Sequence, residues 1–195
     1  MEKRTVSLGF GGIEVDLGAH ICAFYQGPAG RDEVLVPFLA EGMRLGEKCI
    51  GVVESSAPEH VWNQLAGAQD PGAVPGQVEV ATPAETYLQG GRFDPDEMLG
   101  WLDEHISHSL DVEGYPRVRS AGEMGWALYD VPGVEGLFDY ETRLNRFAPS
   151  FPQVMLCLYD MDRVGGSVLI DAMKTHPQVL VGTLLCESPF YEPVS

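Results

Sequence analysis

The sequence predicts an α/β fold: a three-layer sandwich in which a mostly parallel sheet carries helices on both faces. First, short apolar runs alternate with longer amphipathic segments about six times along the chain. Second, the apolar runs are almost continuous, as in strands that are buried on both faces of a parallel sheet. Third, 195 residues are enough for one such unit, so we expect a single domain over residues 1–195.

The strands are predicted from short runs rich in apolar and β-branched residues. They are His20–Tyr25, Lys48–Val53, Val78–Ala81, Val118–Gly122, Gln153–Asp160 and Gln178–Gly182. The last dozen residues contain Pro189 and Pro193 and are predicted to be irregular. Binding sites of parallel sheets lie beyond the carboxyl ends of the strands. We therefore expect the loops after Tyr25, Val53 and Gly122, and the one after Asp160, to share one edge.

The helices are predicted from apolar residues at helical spacing. They run to about Leu45 after a loop at residues 26–30, from Pro58 to about Leu65, from Pro95 to about Leu110, over Val134–Phe147 and over Gly166–Thr175. Gly46 should end the first helix, Ser56–Glu59 fits a capping box, and Asp94 should cap the third helix. Pro37 lies within the first helix, so that helix should start late or kink.

The composition restricts the partners. The chain has 29 acidic and 12 basic residues, a formal charge of −17, and no apolar run of the ~20 residues that a bilayer requires. Because binding to nucleic acid or anionic lipid needs a positive surface, we expect neither as a direct partner. Cys22, Cys49, Cys157 and Cys186 are widely spaced, which is typical of reduced cysteines in a cytoplasmic protein.

The segment Gly27-Pro28-Ala29-Gly30-Arg31-Asp32 is a degenerate phosphate-binding loop. A working loop reads G-x-x-x-x-G-K-[ST], whereas only two residues separate these glycines. Arg31 replaces the lysine and Asp32 replaces the hydroxyl residue that holds magnesium. The carboxylates of Asp32 and Glu33 would oppose phosphate oxygens, or else they cap the helix.

Several segments, taken in order, resemble a known family. They are His20–Tyr25, Gly122–Trp126, Tyr140–Asn145, Leu156–Asp160, Thr175–Pro177 and Pro189–Tyr191. Over residues 17–193 the chain resembles the MEDS domain, the sensory domain named from methanogens, methylotrophs and the regulator DcmR. Residues 27–54 also resemble the RecA-like fold of the clock ATPase KaiC.

The resemblance implies a KaiC-like sheet with a degenerate nucleotide site and a sensory role. The ligand it implies is a small, mostly apolar molecule of hydrocarbon or one-carbon type. It also implies output through a separate transcription regulator or kinase, and it leaves a homo-oligomer open.

We expect the ligand at the shared edge of the sheet. The predicted ligand-binding residues are Tyr25, Gln26, Arg31, Glu54, Glu123, Trp126, Glu141 and Asp160. In the alternative interpretation Trp126 is a core residue and Glu123 pairs with an arginine such as Arg119.

Two further carboxylates also have alternative roles. Asp160 could hold magnesium or cap the following turn. Glu141 could point at the edge or belong to a solvated helix face.

The sequence predicts no metal, cofactor or catalytic residues. His20 and Cys22 point the same way from one strand, but two ligands do not close a metal site. His176 should mark a helix end. No nucleophile motif is present. The leading hypothesis is therefore a non-enzymatic sensory domain, with a residual nucleotide binder or weak ATPase, and a ligand-free interaction module, as alternatives.

Overall fold

The computed structural model describes residues 5–54, 58–67 and 76–193. A seven-stranded sheet has the order β5-β4-β6-β7-β3-β8-β9, and a separate two-stranded hairpin pairs β1 with β2. The strands are β1 Thr5–Ser7, β2 Glu14–Asp16, β3 His20–Tyr25, β4 Lys48–Val52, β5 Val78–Ala81, β6 Val118–Glu123, β7 Gln153–Asp160, β8 Gln178–Val181 and β9 Leu184–Glu187. All neighbours in the large sheet are parallel except β8 and β9. The predicted α/β sandwich is confirmed.

Helices cover both faces of the sheet. They are α1 Gly27–Arg44, α2 Pro58–Gly67, α3 Pro95–Asp111, α4 Leu137–Phe147 and α5 Gly166–Thr175. The hairpin, α1 and α2 pack on one face, and α3, α4 and α5 pack on the other. Among the described residues, no helix is both long and apolar enough to cross a membrane.

Alternation along the central strands sorts side chains between the two faces. In β3, Ile21 packs towards α1, whereas Cys22 packs towards α4. β7 lies beside β3 in register, with Cys22 opposite Cys157. Since all eight residues of β7 are buried, its unbroken apolar run is explained by helices on both sides.

The start of α1 differs from the prediction. Gly27 takes φ +61° and the helix begins there with Pro28 in its first turn, so no loop spans residues 26–30. Asp32 and Glu33 therefore lie beyond the first turn and do not cap the helix. The helix also continues through Pro37, whose missing N–H and bulky ring cost about 3 kcal/mol in a helix interior. Burial of residues such as Phe38, each contributing about 1.5–3 kcal/mol, offsets this cost.

Other helix boundaries follow the sequence signals. Gly46 takes φ +69° directly after α1, and the Asp94 carboxylate accepts hydrogen bonds from the first turn of α3. The predicted capping box falls partly outside the described residues, because Ser56 lies there. The helix predicted over Val134–Phe147 is a 3₁₀ turn at Val134–Gly136 that continues into α4.

The sequence did not predict three of the strands, namely β1 and β2 of the hairpin and the edge strand β9. The hairpin strands have three residues each, which is too short to show a period. β9 is a largely exposed edge strand that covers the first four of the residues expected to be irregular.

Candidate functional site

Six predicted ligand residues meet at the carboxyl edge of the sheet. We call this group the edge cluster: Tyr25, Gln26, Arg31, Glu54, Glu123 and Asp160. Tyr25, Glu123 and Asp160 are the last residues of β3, β6 and β7. Arg31 comes from α1, and Glu54 follows β4. Parallel strands bring these positions together, as the sequence analysis expected.

Glu123 is the centre of the edge cluster. Its carboxylate accepts a hydrogen bond from the Tyr25 hydroxyl at 2.8 Å and another from the Glu54 backbone N–H at 2.7 Å. The Arg31 guanidinium lies 3.8 Å away. Burial raises the pKa of Glu123 above its usual value despite these partners. Burial and the nearby Glu123 carboxylate also raise the pKa of Tyr25.

The arginine of the edge cluster is already engaged by carboxylates. Arg31 is buried and donates two hydrogen bonds to one oxygen of Asp32, at 2.7 and 2.9 Å. The other Asp32 oxygen lies 2.6 Å from His60. The charge that would attract a phosphate is therefore neutralised within the chain.

The Asp160 side chain, at the end of β7, lies against the amino-terminal end of α1. Its carboxylate accepts the backbone N–H groups of Gly27 and Asp162, both at 3.1 Å. These contacts match the turn-capping interpretation of Asp160. A carboxylate also fills the position where helix N–H groups would otherwise receive a phosphate. The neighbouring Gln26 amide contacts Asp162 at 3.3 Å.

The Trp126 side chain does not join the edge cluster, which corrects its predicted placement, although its backbone directly follows β6. Its side chain is fully buried and stacks on Tyr87 with 5.0 Å between ring centroids. Trp126 is thus a core residue, as the alternative held. Arg119 does not pair with Glu123, because it lies near the start of β6 and binds Glu47 at 2.8 Å.

The glycines around Glu123 are required for space. Gly122 and Gly125 do not have positive φ, so it is their small size and not a left-handed backbone that the fold requires. A Cβ on Gly122 would collide with the Tyr87 hydroxyl, and one on Gly125 would collide with the Glu54 carboxylate. The small residues allow the core aromatic group and the edge cluster to approach the backbone.

Glu141 also lies away from the edge, in a second polar group. We call His20, Glu141, Cys157 and His176 the buried cluster; all four are buried between the sheet and α4. Glu141 Oε2 lies 3.1 Å from His20 Nε2, 3.3 Å from Cys157 Sγ and 3.3 Å from His176 Nε2. Neither predicted environment of Glu141, the edge or a solvated face, is what the structure contains.

Partners around the buried cluster orient its side chains. The Tyr159 hydroxyl donates to Glu141 Oε1 at 2.7 Å. His20 Nδ1 lies 3.1 Å from Asn145 Oδ1, and His176 Nδ1 lies 2.8 Å from the Ala172 carbonyl oxygen. Each ring therefore has an oxygen acceptor on its outer nitrogen.

Burial controls ionisation in the buried cluster. Burial and the neighbouring His176 lower the pKa of His20, which favours its neutral form. Burial and Glu141 raise the pKa of Cys157. Although burial opposes ionisation of Glu141, the two histidines outweigh it and lower the pKa of that carboxyl.

The sequence singled out His20, Glu141 and His176, but it paired His20 with Cys22, placed Glu141 at the edge or on a solvated helix face, and gave His176 only a helix end. Cys157 reaches His20 instead, with 3.2 Å between Sγ and Nε2. The missing partners come from α4, β7 and the end of α5, so spacing in the sequence could not reveal them. The available signal was that four residues of metal-binding types, two histidines, one cysteine and one glutamate, lie within the segments that resemble one family.

An apolar pocket lies at the carboxyl ends of β6 and β7, on the face opposite α1. Its volume is about 200 Å³. The lining residues are Met124, Ala127, Leu128, Val134, Glu135, Leu137, Phe138, Tyr159, Val164 and Val168. Glu135 is the one charged residue among them. Since Tyr159 also binds Glu141, one side chain borders both the pocket and the buried cluster.

Solved structures place this fold in a known class. A KaiC-like protein from Pyrococcus horikoshii OT3 aligns with a TM-score of 0.60 and 12% identity over 92% of this chain and 80% of its own. The flagellar accessory protein FlaH from Methanocaldococcus jannaschii aligns with a TM-score of 0.57 and 12% identity over 94% and 84%. The chain therefore has a KaiC-like, RecA-like α/β fold.

Within that class the family is defined. Residues 19–177 match the family described as MEDS, the methanogen/methylotroph, DcmR sensory domain, and the chain belongs to this family. It is 26% identical over 175 residues to the transcriptional repressor DcmR of Methylorubrum extorquens. That match covers 89% of this chain and 64% of the relative's length. The family membership supports a sensory or regulatory role.

Proposed function

We propose that the chain is a non-enzymatic sensory domain that binds a small, mostly apolar molecule in the apolar pocket. The observation that carries this proposal is the pocket of about 200 Å³ at the carboxyl edge of the sheet, which is where parallel sheets generally bind ligands. An apolar lining with a single carboxylate suits an uncharged molecule better than an anion.

The size of the pocket restricts the ligand class. A cavity of about 150 Å³ with an apolar lining accommodates benzene or xenon. A pocket of about 200 Å³ therefore suits a compact hydrocarbon, a halogenated one-carbon compound or a molecule of similar bulk. The Glu135 carboxylate would contact a polar or polarisable part of the ligand, and the Tyr159 ring would pack against its apolar part.

The proposed signal is a shift between populations of the segments that enclose the pocket. Leu137 and Phe138 begin α4, and Val168 lies in the first turn of α5. A ligand that contacts both helices favours the arrangement in which they are packed together. The same helices supply or flank members of the buried cluster, so the change would extend beyond the pocket.

Nucleotide binding is the weaker alternative. Only Gln26 separates β3 from α1, the helix whose amino-terminal end would receive a phosphate. The Asp160 carboxylate already accepts a hydrogen bond from the first N–H of that helix. Arg31 is already paired with Asp32. Both features oppose a triphosphate.

We also propose a cytoplasmic location and output to a separate transcription regulator or signalling kinase; the similarity to a protein named a transcriptional repressor supports a regulatory output. A net charge of −17 favours a partner with a basic surface. A homo-oligomer is compatible with this proposal.

A melting experiment with a matched pair of variants tests the ligand site. Benzene and dichloromethane should raise the melting temperature of the wild type, because a ligand at 100 times its Kd stabilises by about 2.7 kcal/mol. Val168→Phe fills the pocket and should abolish the shift. Ile170→Phe, on the exposed side of the same helix, should keep it.

Magnesium–ATP is the comparison ligand and should leave the melting temperature unchanged. A shift with ATP, or equal shifts in the Val168→Phe and Ile170→Phe variants, would contradict the proposed site.

A further inference from the structure

The buried cluster has the donor set of a metal centre. Two imidazole nitrogens, one thiol sulfur and one carboxylate oxygen converge from β3, β7, α4 and the residue that follows α5. The four ligand atoms all lie within 4.8 Å of one another. The proposed ligand-sensing function neither uses nor explains this group.

We propose that His20, Glu141, Cys157 and His176 bind one zinc ion. Zinc takes four nitrogen, sulfur or oxygen ligands at about 2.0–2.3 Å in a tetrahedron, which puts neighbouring ligand atoms about 3.3–3.8 Å apart. The distances from Glu141 Oε2 to the other three ligand atoms are 3.1–3.3 Å, and His20 Nε2 lies 3.2 Å from Cys157 Sγ. Since all four atoms lie within 4.8 Å of one another, small movements of these side chains would bring them to tetrahedral spacing around the ion.

The outer contacts aim the correct nitrogens inwards. Metal-binding histidines usually donate their other ring N–H to an oxygen acceptor, which fixes the tautomer. His20 and His176 both have such an acceptor at Nδ1, provided by Asn145 and by the Ala172 carbonyl. Their Nε2 lone pairs then point at the cluster centre.

One of these nitrogens has no hydrogen-bond partner. His176 Nε2 is fully buried and forms no hydrogen bond, although it lies 3.3 Å from Glu141 Oε2. An imidazole lone pair that faces a carboxylate oxygen at this distance is electrostatically unfavourable without a proton or a cation between them. A proton on His176 or a cation at the centre of the cluster would relieve this contact, and the four converging ligand atoms favour the cation.

Charge balance favours a divalent ion. With Cys157 as thiolate and Glu141 as carboxylate, two negative charges neutralise Zn²⁺, and both histidines remain neutral. On binding, the thiol proton of Cys157 leaves to solvent. The mixture of imidazole, thiolate and carboxylate suits zinc, whereas calcium and magnesium prefer oxygen ligands alone.

The site would be structural. All four tetrahedral positions are filled by the protein, which leaves none for water or substrate. The ion would fix α4 and the end of α5 to the central strands β3 and β7. It would thereby hold the two helices that border the apolar pocket.

Metal uptake by the full chain tests the proposal. Protein stripped with a chelator should bind one Zn²⁺ per chain, with a rise in melting temperature. Co²⁺ as a spectroscopic substitute should give a thiolate-to-cobalt charge-transfer band and the intense visible bands of a tetrahedral site. Neither readout depends on the apolar ligand, so failure of one proposal is distinguishable from failure of the other.

Two buried cysteines provide a matched pair of variants. Cys157→Ala should lose the charge-transfer band and at least tenfold in zinc affinity. Cys22→Ala, at the paired position of the next strand and on the same face, should retain both. If Cys157→Ala does not fold, the other three cysteines are replaced one at a time, as Cys22→Ala, Cys49→Ala and Cys186→Ser. The charge-transfer band should persist in all three variants, which assigns the thiolate ligand to Cys157 by elimination.

Several results would overturn the assignment. These are a folded wild type that binds neither Zn²⁺ nor Co²⁺, a cobalt spectrum without a thiolate band, or equal zinc uptake in wild type and a folded Cys157→Ala variant.

Discussion

At the scale of single residues, Tyr159 connects the two candidate sites. Its ring lines the apolar pocket, while its hydroxyl donates to Glu141 at 2.7 Å. A hydrogen bond to a buried carboxylate is among the stronger ones in proteins, because an unpaired charge in the interior is costly. Tyr159 therefore both shapes the pocket and holds Glu141 in its orientation.

Replacing Tyr159 should separate these roles. Tyr159→Phe keeps the ring against the pocket but removes the donor to Glu141, so we expect a loss of about 1–3 kcal/mol in the free energy of unfolding. Urea denaturation measures this loss. Tyr191→Phe, at a partly exposed position, is the control and should change stability by less than about 0.5 kcal/mol. Equal stability of the two variants would show that the Tyr159 hydroxyl has no such role.

The edge cluster shows what residue patterns could predict. Tyr25, Glu123 and Asp160 end their strands, and a parallel sheet brings strand ends together regardless of distant contacts. Trp126 and Glu141 were misplaced because a residue's depth depends on packing against other elements. Trp126 is covered by Tyr87 and Phe93, which lie far from it in sequence.

At the scale of elements, the β1–β2 hairpin is attached to α1 through a close backbone approach. Gly9, in the hairpin loop, has φ +90°, and a Cβ there would collide with the Pro37 carbonyl oxygen. Arg119 adds a second attachment, since its guanidinium donates to the Ser7 carbonyl oxygen at 2.9 Å. Pro37 therefore lies at a contact surface of α1.

Two glycines of the same loop isolate the contribution of this contact. Gly12 also has positive φ, at +66°, but open space surrounds its Cβ position. Gly12→Ala should cost about 1–2 kcal/mol for its backbone conformation alone. Gly9→Ala should cost about 1–3 kcal/mol more, because the hairpin must move away from α1. Thermal or urea unfolding compares the two, and equal losses would exclude a tight contact at Gly9.

The sequence predicted most elements and missed those that lacked a periodic pattern. The predicted bounds of β7 agree with the structure, because an uninterrupted apolar run between Gln153 and Asp160 marks a strand that is buried on both faces. α1 starts earlier than predicted, because Gly27 and Pro28 were interpreted as a loop although both are compatible with a helix start. β9 gains its conformation by pairing with β8, which a local pattern does not record.

At the scale of the whole molecule, a KaiC-like sheet carries two different groups on opposite sides of its carboxyl edge. On the α1 side, Asp160 and the Arg31–Asp32 pair fill the region where a phosphate would bind. On the α4 side, an apolar pocket adjoins the buried cluster through Tyr159. This division agrees with the proposed function, in which the neutral ligand lies away from the region that Asp160 and the Arg31–Asp32 pair fill.

The proposed ligand would bind between α4, α5 and the loop after β6. The most direct test is a crystal of the protein under xenon pressure, with the xenon position taken from its anomalous signal. We expect a xenon atom in contact with Leu137, Tyr159 and Val168. An empty pocket in a crystal that takes up xenon elsewhere would contradict it.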